Sequence, residues 1–176
     1  MSLNYQNLDE VTRQYMLNEI QYDKDKNNFH LSNFLTAEGR IMWPSLLEES
    51  IQFDDAWLER EIQRRGILAQ FYPKRKPRST EMTQAKVPYT AAQSLAEGEF
   101  NRLFARGLSA RAISEGNEFV EVYRARHSEN PRPESEAIIG KKFRPQDILE
   151  DLRNNPGVET ALGIPSGVNS GITIKK

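Results

Sequence analysis

The stretch "VYRARHSENPRPESE", residues 122–136, holds three arginines, three glutamates, two serines and a histidine. A guanidinium is permanently charged and presents a fork of N–H donors, so a cluster of them suits a phosphate or a carboxylate. Arg124 and Arg126 would leave a strand on one face, Arg132 follows the turn at Pro131, and Ser128 and Ser135 add hydroxyl donors. Arg102 and Arg106, spaced with Glu99 at three and four residues on a preceding helix, join this set if that helix packs beside the strand. His127 and Glu136 are then the candidates for acid or base chemistry on a phosphorylated or nucleotide substrate. The same residues also fit a closed ion-pair network, because Glu99, Glu129, Glu134 and Glu136 lie close by and a buried arginine is normally paired.

A second basic cluster, "PKRKPR", supplies Lys74, Arg75, Lys76 and Arg78. Such a run fits either a solvated connection or an arm that binds the phosphates of a nucleic acid.

Other chemistries find no support. The chain has no cysteine and only two histidines, His30 and His127, without an HExxH spacing, so no metal site is expected. GxSxG, GxxxxGK[ST] and GxGxxG are all missing, and no cofactor is implied. Enzyme activity is therefore not the leading expectation.

The charge is uneven. Residues 1–66 carry 7 basic and 12 acidic side chains, whereas residues 67–133 carry 11 and 7, within a net charge of -1 over 176 residues. That polarity suits contact with a protein partner or a second copy of the chain, and it is too weak to announce a dedicated nucleic-acid binder. No apolar run reaches the roughly 18 to 20 residues that cross a bilayer, and the first residues lack a leader pattern, so a cytoplasmic protein with no membrane contact is expected.

These side chains need a scaffold. Asn7 followed by Glu10 reads as the start of a first helix, Pro44 as the first position of a second, and "DDAWLEREIQRRG" as a third, with acids early and Gly66 past its end. Residues 1–66 form a helical subassembly, and 67–89 a basic extended linker or arm without periodicity. Residues 90–176 begin with a long helix from Thr90 to Gly116, in which Gly107 implies close packing or a break. "NEFVEVYRAR" alternates as a strand, 136–143 reads as its neighbour, and Pro145 opens a further helix. A final "ITI" at 172–174 must close this sheet or add to a partner's. The expected fold is α+β, a mainly helical single domain with a small antiparallel sheet near the C-terminal half, in which 1–66 and 90–176 share one core. The leading functional expectation is a non-catalytic interaction or assembly protein; an enzyme acting through the arginine cluster and a nucleic-acid-binding accessory protein are the alternatives.

Overall fold

The computed structural model describes residues 2–157, 160–165 and 170–176. Three helices open the chain: α1 (Glu10–Lys26), α2 (Ala37–Ser50) and α3 (Asp55–Arg65). Each start is set by a side-chain oxygen that accepts an otherwise unpaired amide. Asp9 takes Thr12 N at 3.0 Å, Thr36 takes Gly39 N at 2.9 Å and Asp54 takes Trp57 N at 2.8 Å. Asn7 is thus not the cap expected from sequence; it sits at φ 68 and its Oδ1 accepts the Lys176 amide at 3.1 Å. Pro44 lies inside α2 rather than at its start, because Thr36 caps the helix a full two turns earlier.

Residues 67–89 are more ordered than an irregular linker. Within them β1 (Phe71–Arg75) and β2 (Met82–Lys86) pair antiparallel as a ribbon, with Tyr72 opposite Ala85 and Lys74 opposite Thr83. Pro73 is tolerated because the flanking pairs, closed by Val87 N to Gln70 O and Lys76 N to Glu81 O, put the Pro73 nitrogen on the outer edge of the ladder.

The long helix α4 (Ala91–Ser114) is the axis of the molecule, packed by α1, α3 and α6 (Pro145–Asn154) and by the terminal strand β5 (Ile172–Lys175). It lacks a polar face because it is buried on nearly every side. Gly107 makes this closeness tolerable: a Cβ there would meet Met16 Cγ at 2.6 Å and Met16 N at 2.9 Å, so close packing, not a break, accounts for the glycine. Met16, Trp43, Leu58 and Ile62 from the first three helices share one apolar cluster with Phe100, Phe104, Val122, Ile148 and Ile174.

The second sheet has the order β4-β3-β5, with β3 (Val120–Arg124) central and β4 (Lys142–Phe143) short. Of the strand expected over 136–143, Lys142 and Phe143 form the ladder with β3, and Gly140 N and Lys141 O continue the hydrogen bonding to Val122. Its first part belongs to α5 (Pro133–Ile138), where Pro133 opens the helix with Glu134 and Glu136 in the first turn, an arrangement that favours a helix start. The terminal strand pairs within the chain, Val122 opposite Ile174 and Arg124 opposite Ile172, and both isoleucines are fully buried.

The fold is α+β and mainly helical, with antiparallel sheets of two and three strands among the described residues. No helix among them is long and apolar enough to cross a membrane.

Candidate functional site

The arginines singled out from sequence fall into two groups on opposite sides of α4. At about 100° per residue, Arg102 and Arg106 stand about 140° and 180° around the helix from Glu97. Glu97 pairs with Arg126 beyond β3, and one turn later Asn101 Nδ2 donates to Ile172 O of β5 at 2.8 Å. The side that meets the sheet is therefore not the side that carries Arg102 and Arg106, and the helix brings the two sets no nearer one another by packing on the strand.

On the far side Arg106 is locked. Its Nε donates to Glu19 Oε2 at 2.9 Å and its Nη1 to Asp23 Oδ2 at 2.7 Å, with all three side chains buried. Burial pulls its pKa down, but the bonds to Asp23 and the charges of Asp23 and Glu19 outweigh that and raise it. Arg153 completes the set by donating to Glu19 Oε1 at 2.6 Å. Arg102 gives its Nη2 to Leu152 O at 3.1 Å and Asn155 O at 2.6 Å, ending α6 with a cation where the helix dipole favours one. Beside it His30 Nδ1 lies 2.8 Å from Glu99 Oε1. The void between these groups measures about 20 Å³, room for one water and too little for a phosphate.

On the sheet side, Arg124 is held by Glu136 and by Ser170 O, the latter at 2.9 Å. Arg126 grips Glu97 with both Nη groups, Nη2 to Oε1 at 3.1 Å. Burial raises the Glu97 pKa and Arg126 partly offsets it. Arg132 and His127 are exposed, Ser128 is half-buried and Ser135 is buried in α5. An anion arriving at Arg124 or Arg126 would have to displace a carboxylate. Among the described residues, no group of three or more His, Asp or Glu side chains could hold a metal ion.

The ribbon is arranged differently. β1 and β2 pack chiefly on each other, and among the described residues the root is tied to the body by Ala69 N to Phe34 O at 2.8 Å, a Leu35–Leu68 bridge and the edge-on rings of Phe34 and Tyr72 at 4.8 Å. Lys74, Arg75, Lys76 and Arg78 are all exposed. At the tip Arg75, Lys76, Arg78, Ser79 and Thr80 line an open concavity of about 480 Å³. Arg78 sits there at φ 56, the left-handed region that a non-glycine residue seldom adopts. Lys76 reaches Glu81 at 2.7 Å and Arg75 Nε donates to Ser79 O at 2.8 Å. Sequence reasoning finds these cations but misses Phe71, Met82, Gln84 and Lys86, which only the strand pairing sets alongside them.

Compared with protein-family models, curated proteins and solved structures, the chain matches none.

Proposed function

We propose that this chain is a non-catalytic interaction protein whose helical body presents the basic ribbon 71–86 as a contact arm for a polyanionic partner. The observation that carries this reading is the ribbon itself: five of its six charged side chains are basic, and it stands away from the core on a tethered root. Enzyme chemistry at residues 122–136 gains less support, since Arg124 and Arg126 already hold carboxylates.

The arm can be removed above its root. Tyr72 and Ala85 face each other across the ladder, so an Asn-Gly turn in place of residues 73–84 rejoins the chain and keeps Tyr72 against Phe34. The shortened protein is expected to keep its far-ultraviolet spectrum and melting temperature while losing retention on a heparin column that holds the intact protein. Equal elution of both forms, or no retention of either, would overturn the reading.

A further inference from the structure

From the register of the ribbon we infer that the arm is built for the major groove of double-stranded DNA, an identification of the polyanion that rests on the contact-arm reading above. An antiparallel two-stranded ribbon is one of the few protein elements that the groove, about 12 Å wide, admits. Residues opposite one another across a ladder share a face, which divides this ribbon in a useful way. Tyr72, paired with Ala85, turns toward Phe34 and the body. The opposite face therefore looks away, and it carries Lys86 beside the exposed Phe71 (54%), Gln84 opposite Pro73, and Arg75 beside the exposed Met82 (61%).

Those residue types match base edges: arginine and lysine to guanine, glutamine to adenine, and apolar groups to the thymine methyl. Lys74 and Lys76 lie on the other face, and Arg78 lies in the turn with the hydroxyls of Ser79 and Thr80. Cations on both faces and at the tip suit a site with phosphates on two walls better than a flat acidic surface, which would meet one face alone.

The body reinforces the choice. Outside 71–86 the chain has 19 basic and 24 acidic side chains, whereas the ribbon has five and one. A polyanion is repelled by the remainder and drawn to the arm, which orients the encounter.

The test is fluorescence anisotropy of the intact protein with a labelled B-form duplex of about 20 base pairs, an A-form RNA duplex of the same length and labelled polyglutamate. Micromolar DNA binding at low salt is expected, with log K falling against log salt at a slope of about -3 to -4 as roughly four phosphates are neutralised. Lys74→Ala should lower that slope by about one and leave the melting temperature unchanged, while Gln84→Ala should alter preference among duplex sequences and leave the slope alone. The RNA duplex should bind about tenfold more weakly or worse, because its major groove is too narrow to enter. Equal affinity for the two duplexes overturns groove insertion. Binding to polyglutamate without DNA overturns the nucleic-acid identification and leaves the contact arm standing, and binding to none of the three removes both.

Discussion

Arg106 of α4 and Asp23 of α1 meet through two charge-assisted hydrogen bonds, Nη1 to Oδ2 at 2.7 Å and Nη2 to Oδ1 at 2.9 Å, in a site almost closed to solvent. Glu19, which shares that guanidinium, keeps Arg153 as a partner, so removal of the arginine strands the buried carboxylate of Asp23. Arg106→Ala is expected to cost about 3–5 kcal/mol of stability, read from urea denaturation. Combining Arg106→Met with Asp23→Asn, and leaving Glu19 to Arg153, should recover most of that loss. Recovery no better than the single variant would mean that packing, not charge, dominates the site.

At Gly107 the two helices pass too closely for a side chain. Gly107→Ala would gain roughly 1 kcal/mol of helix propensity, but its Cβ falls on Met16 Cγ and Met16 N, and the backbone nitrogen cannot swing aside. Overpacking of this kind costs about 1–3 kcal/mol, so net destabilisation is expected. Trimming Met16 to alanine should not rescue it; full rescue would show that only the flexible thioether stood in the way.

Thr173 faces the opposite side of β5 from its buried isoleucines, is itself fully buried, and its hydroxyl makes no hydrogen bond among the described residues. A buried polar group without a partner is a net cost. Thr173→Val is expected to raise stability by about 1 kcal/mol, seen as a melting temperature higher by about 2–4 °C. A lower melting temperature would reveal that the hydroxyl is satisfied after all.

Asp9 supplies a test by pH. The Arg111 guanidinium beside it, helped by Thr12 N, holds its carboxyl at about 2, against an ordinary 3.8. A depressed carboxylate stabilises the fold fully above its unfolded pKa and loses that contribution as pH falls through its folded one. Stability from this group should therefore be flat down to about pH 5 and decline between about pH 4 and 2. The side chain is half-exposed and screened by salt, so less than about 1 kcal/mol is expected from the ion pair. The Asp9→Asn protein should show a shallower acid limb; an unchanged limb would place the acid sensitivity elsewhere. Asp55 and Glu97, raised by burial, act in the opposite sense.

Where the determinants are local, the sequence was legible. Asp54 and Gly66 bracket α3 as capping chemistry requires, Pro145 opens α6, and Val120 to Arg124 alternate as β3. The ribbon was not, because neither of its faces is buried: Phe71 to Arg75 shows no apolar alternation, and only cross-strand pairing makes it a strand. Residues 136–143 misled for a related reason. "AII" reads as β by composition, yet the Pro133-Glu134 start decides the conformation.

For the candidate site, residue types were legible and partners were not. Charge identifies Arg102, Arg106, Arg124 and Arg126, but which carboxylate each meets depends on what packs on each side of α4. The spacing from Glu97 to Arg106 already implies opposite sides of a helix. That Glu97 is the side facing the sheet could not be read without the fold.

Residues 2–6 lie against the end of strand β3, with Asn4 N bonded to Ala125 O at 3.0 Å and the Tyr123 hydroxyl joining Asn4 O and Gln6 N. Strand β5 pairs along β3, and its end reaches back to Asn7. The earliest and latest segments described thus close over one strand, and the β3 edge that β5 covers cannot be closed until synthesis has passed Ile172. A ribosome stalled before that point would hold a chain with helices formed and the β3 edge bare, which is the kind of species that chaperones retain and proteases remove.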